Sequence, residues 1–298
     1  MQTIALIGLG AMGSGVGRCL VGKGFAVRGY DVRAEAVDQL LSDGGIACTS
    51  SAEAATGADV AVLLVLNADQ VEDCVFGSDG LTQGLQPGTV IASATTMSAS
   101  RARALATRAG GAGFAWLDAP VSGGTQRAAE GTLTSMVGGD GADVDRARPV
   151  LEAYSRDVFH LGEIGSGSTA KMVNQVLVYC HLAAAAEAMT LCSKLGVDRQ
   201  AVYDVICTAM GASAIFESRV PHLIDGSYQS GGSLRIALKD LGIVEETARE
   251  LSLPMPMTAQ ATQLFRATAA AGMLDQDDLA IAKLLAHMAG LPASDQYR

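Results

Sequence analysis

The chain has 298 residues, 49% of them apolar and 4% aromatic, with 35 glycines and a formal net charge of -10. That length and composition support a substantial buried core, in one large or two moderate domains, and argue against disorder. The acidic balance disfavours nonspecific nucleic-acid binding, while leaving room for a local basic site that holds a small anion.

The first element is an apolar run, Thr3-Ile4-Ala5-Leu6-Ile7, which reads as a buried strand and enters Gly8-Leu9-Gly10-Ala11-Met12-Gly13. A helix follows, and a second strand near residues 26–30 ends at Asp31. Further strands are expected near 45–48, 60–65, 89–92 and 114–118, with two more near 133–138 and 157–161. Residues 33–41 and 99–109 read as helices. The run Val60-Ala61-Val62-Leu63-Leu64-Val65-Leu66 is continuously apolar, as a parallel strand covered on both faces requires. The rhythm predicts an α/β fold, a mostly parallel Rossmann-type sheet covered by helices.

The character changes after Leu161. Gly162 to Thr169 is polar and glycine-rich, and a long helical pattern then runs from about Ser168 to Leu195. Ser166 or Ser168 is expected to cap it and Gly196 to end it. Helices are also expected at 197–210, 234–251, 257–271 and 277–288, with Pro254 and Pro256 interrupting the series. The expected boundary lies near residue 162. It divides an α/β domain over 1–162 from an all-helical domain over 163–298, joined through the long helix.

No membrane span is read. The longest apolar candidate, Met172 to Leu191, carries Asn174, Gln175, His181 and Glu187, and the start of the chain lacks the pattern of a cleavable signal. The six cysteines form no tight pair and read as reduced residues of a cytoplasmic protein. The four dispersed histidines suggest no metal site.

The glycine turn carries the first chemical reading. Gly8 allows a turn after the strand, Gly10 lets a ligand backbone come close, and Gly13 lets the helix pack on the sheet. Exposed amides at that helix start suit a pyrophosphate. A bare match to this pattern is weak, and its position between a strand and a helix strengthens it. Asp31 follows Gly8 by 23 residues; its carboxylate suits ribose hydroxyls and repels a ribose phosphate, which favours NAD over NADP. Arg33 pulls the other way, because a guanidinium attracts that phosphate. Asn67 and Thr96 follow the fourth and fifth strands, where an open parallel sheet presents loops to a cofactor; plain helix capping is the competing reading.

Asp118-Ala119-Pro120-Val121-Ser122-Gly123-Gly124 follows the sixth strand. Ser122 offers a hydroxyl, and the Gly123 and Gly124 amides can face a carboxylate without a side chain in the way. Asp118 reads as a brace, since it would repel an anionic ligand. Lys171, Asn174 and Gln175 are spaced to share one face of the long helix. An early-turn position and burial both disfavour a charged lysine there, which suits proton exchange coupled to loss of hydride from an alcohol carbon. A domain-interface lysine paired with an acid is the alternative. Lys239-Asp240-Leu241 is a second polar interruption, read either as a cofactor or substrate contact or as an ordinary helix turn.

Together Gly8 to Gly13, Asp118 to Gly124, Gly165 to Gln175 and Lys239-Asp240-Leu241 resemble the β-hydroxyacid dehydrogenase family over nearly the whole chain. The resemblance implies that Lys171 is the catalytic general acid/base and that Ser122, Gly123 and Gly124 bind the substrate carboxylate. Asn174 or Gln175 would orient the remaining oxygens. Lys239 would contact the cofactor–substrate site with Asp240 in support, and the chain would form a homodimer or homotetramer.

Many family members carry paired asparagines after the lysine, a Leu-Pro after strand four, and an aspartate where this chain has Ser93; here Asn174-Gln175 and Leu66-Asn67-Ala68 stand instead. These variants look more like the four-carbon sugar-acid branch. They imply NAD-dependent oxidation of L-threonate at carbon two to 2-dehydro-L-erythronate, without a metal. The alternatives are action on 3-hydroxyisobutyrate, reduction of tartronate semialdehyde, and a noncatalytic dinucleotide sensor.

Overall fold

The computed structural model describes residues 2–229 and 231–291, and its chain divides into two units, Met1–Met172 and Val173–Arg298. In the first unit, β1 (Thr3–Ile7), β2 (Ala26–Tyr30), β3 (Ile46–Ala47), β4 (Val60–Leu63), β5 (Val90–Ser93) and β6 (Ala115–Asp118) form one sheet in the order β3-β2-β1-β4-β5-β6. Every pairing in it is parallel. The order reverses direction between β1 and β4, and a sheet of this type opens its ligand crevice at that point, beyond the carboxyl ends of the strands.

Alternate residues feed two apolar layers. Ile4, Leu6 and Val62 belong to one, while Ala5, Ile7 and Leu63 belong to the other. Helices α1 (Ala11–Gly22), α2 (Ala34–Ser42), α3 (Ser51–Ala55), α4 (Ala68–Phe76), α5 (Ala99–Gly111), α6 (Gly124–Glu130) and α7 (Gly141–Tyr154) complete this unit. Ser50 and Asn67 cap α3 and α4, two helices that apolar periodicity alone does not delimit.

The strands expected near 133–138 and 157–161 exist, as β8 (Leu133–Val137) and β9 (Ser155–His160). They do not extend the large sheet. They form a second sheet with β7 (Val121–Ser122), a two-residue strand inside the Asp118–Gly124 segment, where no strand is expected from the sequence. Two residues are too few to show an alternation, and the pairing is supplied by β8.

Helix α8 (Ser166–Lys194) begins in the first unit and continues into the second. It ends as expected: Gly196 takes a φ of +69°, and the amides of Gly196 and Val197 satisfy the carbonyls of Ser193 and Cys192. The second unit continues with α9 (Arg199–Cys207), α10 (Ala214–Ile224), α11 (Leu234–Glu250), α12 (Pro256–Thr268) and α13 (Ala280–Met288). Pro256 opens α12 from its first turn, where its missing N–H costs nothing. The helix expected to reach residue 271 instead changes to a π turn at Ala269–Met273, where Gly272 has a φ of +87°.

The core of the second unit joins Tyr179, Leu182, Ala186 and Met189 of α8 to Phe216, Leu241 and Phe265. Tyr179 and Phe265 meet edge to face with centroids 5.5 Å apart. Among the described residues α8 is the one helix long and apolar enough to cross a membrane by length and composition. Its buried face is accounted for by this core.

Candidate active site

The glycine turn leaves β1 through Gly8, whose φ of +90° places it where a side chain would be strained. A Cβ there would also sit 2.5 Å from the Leu64 carbonyl oxygen. A Cβ on Gly13 would lie 1.9 Å from the Gly8 carbonyl oxygen, so α1 reaches the strand end only because that position is bare. Gly10 differs: the nearest atom to a Cβ there is Arg33 Nη2 at 3.7 Å. That is an ordinary contact with the end of a flexible side chain, and the first turn of α1 holds no acidic residue. The turn of Gly8, Leu9, Gly10, Ala11, Met12 and Gly13 therefore fits a dinucleotide pyrophosphate on the α1 amides.

Asp31 is tied directly to this turn. Its Oδ2 accepts from the Leu9 amide at 2.7 Å, and its Oδ1 accepts from the Arg33 amide at 2.9 Å and from Arg33 Nε at 3.1 Å. Burial raises the carboxyl pKa, but the hydrogen bonds from Arg33 and Leu9 outweigh it and hold Asp31 below its ordinary value. Asp31 and Arg33, expected to pull cofactor preference in opposite directions, are thus partners.

Asn67 and Thr96 lie past β4 and β5. Asn67 caps α4, accepting from the Gln70 amide at 2.9 Å, while the Gln70 side chain accepts from the Leu66 amide at 2.8 Å. The capping reading of Asn67 therefore has a geometric basis. Thr95 donates to the Val65 carbonyl at 3.1 Å, and Thr96 is half-buried beside it.

The loop after β6 is held from behind. Asp118 is buried, and its carboxylate accepts from the Gly165 amide at 2.8 Å and the Ser168 amide at 2.6 Å. Burial raises its pKa, against the lowering effect of those two amides. The amides at the start of α8 are thus satisfied by a carboxylate 47 residues away in sequence from Gly165, rather than by the expected Ser166 or Ser168 side chain. Ser122 ends β7 half-buried, and Gly123 and Gly124 follow with φ of +139° and +74° at the start of α6. Lys171 lies five residues into α8 and is 8% exposed. Met172 is buried with it, whereas Val173 is exposed.

In the second unit, α8 and α11 bring four residues together. Asn174 Nδ2 donates to Gln175 Oε1 at 2.8 Å, Gln175 Nε2 donates to Asp240 Oδ2 at 2.5 Å, and Lys239 Nζ lies 2.9 Å from Asp240 Oδ1. A fifth member was not anticipated from sequence: Tyr179 donates its hydroxyl to Asp240 Oδ2 at 3.2 Å. Its position four residues after Gln175 was the available signal, since that spacing stacks side chains on one helix face.

Residues 3–162 match the family model described as the NAD binding domain of 6-phosphogluconate dehydrogenase. Residues 165–285 match the model described as NAD-binding of NADP-dependent 3-hydroxyisobutyrate dehydrogenase. An L-threonate dehydrogenase of Cupriavidus necator is 42% identical over 284 residues, covering 95% of this chain and 96% of its own. The chain belongs to the β-hydroxyacid dehydrogenase family.

A solved 3-hydroxyisobutyrate dehydrogenase of Salmonella typhimurium superposes with a TM-score of 0.89 at 37% identity, covering 95% of this chain and all of its own. One from Mycobacterium tuberculosis, solved with L-serine, gives 0.84 at 34% identity, covering 96% and 99%. As a member of this family the protein is a nicotinamide-dependent oxidoreductase of a small hydroxy acid. Its Rossmann domain is of the type that binds NAD or NADP.

Proposed function

We propose that this β-hydroxyacid dehydrogenase oxidises L-threonate at carbon two to 2-dehydro-L-erythronate with NAD, using Lys171 as general base. The observation that carries the chemistry is a buried lysine in the second turn of α8, a helix whose start is braced by Asp118 from the candidate substrate loop. The substrate assignment is supported by the 42% identity to an L-threonate dehydrogenase and by the Asn67-Ala68 and Asn174-Gln175 variants.

Ser122 and the amides of Gly123 and Gly124 hold the substrate carboxylate, and Asn174 and Lys239 orient its other oxygens. When bound, NAD supplies the acceptor for the hydride leaving carbon two. The Lys171 amine takes the proton from the carbon-two hydroxyl as that bond is oxidised, and returns it in the reverse reaction. Asp31 holds the adenine-side ribose through its hydroxyls, and its charge disfavours a phosphate there. The rate advantage comes from alignment and proton transfer.

A second copy of the chain covers the exposed apolar stripe of Val173, Leu177 and Leu191 on α8 and Leu195 just past its end in the homodimer or homotetramer we propose.

Replacement of Lys171 by alanine tests the central role. Retained NAD binding with turnover reduced about 10²–10⁴-fold is expected. Unchanged turnover would sink the assignment.

A further inference from the structure

The hydrogen bonds around Asp240 have only one consistent direction. Asp240, ion-paired with Lys239, presents a carboxylate that only accepts. Gln175 must therefore turn Nε2 toward Asp240 Oδ2, which leaves its Oε1 on the opposite side. That oxygen also only accepts, so Asn174 must turn Nδ2 toward it. The Asn174 carbonyl oxygen is then directed away from Gln175. The amide orientations follow from this chain of donors and acceptors, starting at a group whose role is fixed.

Tyr179 locks the arrangement. Its hydroxyl donates to Asp240 Oδ2 at 3.2 Å and accepts from Gln175 Nε2 at 3.3 Å, closing a triangle of three buried side chains. Burial, then the charges of Asp240 and Asp278, push the phenol pKa well above its usual value, so the hydroxyl remains a donor at neutral pH. Gln175 is 6% exposed and Tyr179 4%, whereas Asn174 is half-buried. Tyr179 closes the network on its buried side, and Asn174 and Lys239 are its half-buried members.

We infer that Tyr179 and Asp240 are positioning residues that act through Gln175 to fix Asn174 as a hydrogen-bond acceptor, selecting substrates that carry a hydroxyl beside the reacting carbon. This rests on the reading of the site as a sugar-acid dehydrogenase. An amide free to rotate would accept from a hydroxyl or donate to other groups and would discriminate poorly. A fixed carbonyl oxygen gains a partner from a substrate hydroxyl and loses one when a methyl or methylene stands there. A site built to hydrogen-bond a hydroxyl rejects the analogue that lacks it.

The test compares L-threonate with 2-hydroxybutanoate of the same carbon-two configuration, which keeps the reacting hydroxyl and lacks the other two. Tyr179→Phe removes one oxygen and preserves the ring. It should raise the KM for L-threonate about three- to tenfold with little change in kcat, while kcat/KM for 2-hydroxybutanoate stays within about twofold. Asn174→Ala, at a half-buried position, should show the same selective loss; its absence would overturn the inference even if Tyr179→Phe fails to fold. Equal losses on both substrates in folded variants, or an unchanged preference for L-threonate, would overturn the positioning role alone. Wild-type protein that turns over 2-hydroxybutanoate as efficiently as L-threonate would overturn the substrate reading, and this inference with it.

Discussion

Asp118 Oδ1 accepts from the Gly165 amide over 2.8 Å, and this bond ties the end of β6 to the residue that precedes the helix carrying Lys171. The same carboxylate takes the Ser168 amide, so one buried side chain satisfies two of the N–H groups left open by the start of α8. Two bare positions make the approach possible. A Cβ on Gly138 would lie 2.5 Å from Asp118 Oδ1, and one on Gly167 would lie 2.5 Å from the Asp118 carbonyl oxygen. The loop of Ser122, Gly123 and Gly124 and the early turns of α8 are thereby set in a common frame.

Replacement of Asp118 by asparagine should cost about 1–3 kcal/mol of stability. The amide offers one acceptor where two are used and turns its NH₂ toward a backbone N–H. Urea unfolding measures this, and a midpoint equal to that of the wild type would remove Asp118 from the account of α8.

The fold was legible where local signals agree. β1, the glycine turn, α1 and the acid at the end of β2 combine strand pattern, glycine placement and spacing in one short stretch, and each proved structurally specific. The brace role of Asp118 was legible from charge alone, because an acid beside the proposed carboxylate site must face elsewhere. Its actual partners were not, since Gly165 lies 47 residues on and only the folded chain brings them together. The same limit hid β7, whose two residues become a strand only against β8. Tyr179 was overlooked for a different reason: an aromatic within an apolar helix run reads as core, and it is core, with its ring on Phe265 and its hydroxyl on Asp240.

The Asp31 carboxylate gives a stability signature with a defined sign. Its pKa in the folded chain lies below the ordinary 3.8, so its contribution is fully present above that pH and is lost as the pH falls through the folded value. The stability advantage of the wild type over Asp31→Asn should therefore be flat at neutral pH and shrink below about pH 3.8. Denaturant midpoints of both proteins across the acid range measure it. A difference that grows toward acid pH would reverse the sign of the argument.

The same substitution probes cofactor choice. Wild-type protein should bind NAD more tightly than NADP, because Asp31 repels the ribose phosphate and holds Arg33. Asp31→Asn removes the repulsion and loosens Arg33, so calorimetric titration should show the preference narrowing by about tenfold, through weaker NAD binding and stronger NADP binding together. An unaltered ratio would mean that neither residue reads the ribose.

The most direct test of the proposed activity follows NADH formation by the purified protein with NAD and a stereochemically defined series: L-threonate, its D isomer, both erythronates, 3-hydroxyisobutyrate and glycerate. Efficient turnover confined to L-threonate, with 2-dehydro-L-erythronate as the product, is the predicted result. Preferential turnover of 3-hydroxyisobutyrate or glycerate would contradict it and assign the buried lysine and its loop to a different hydroxy acid.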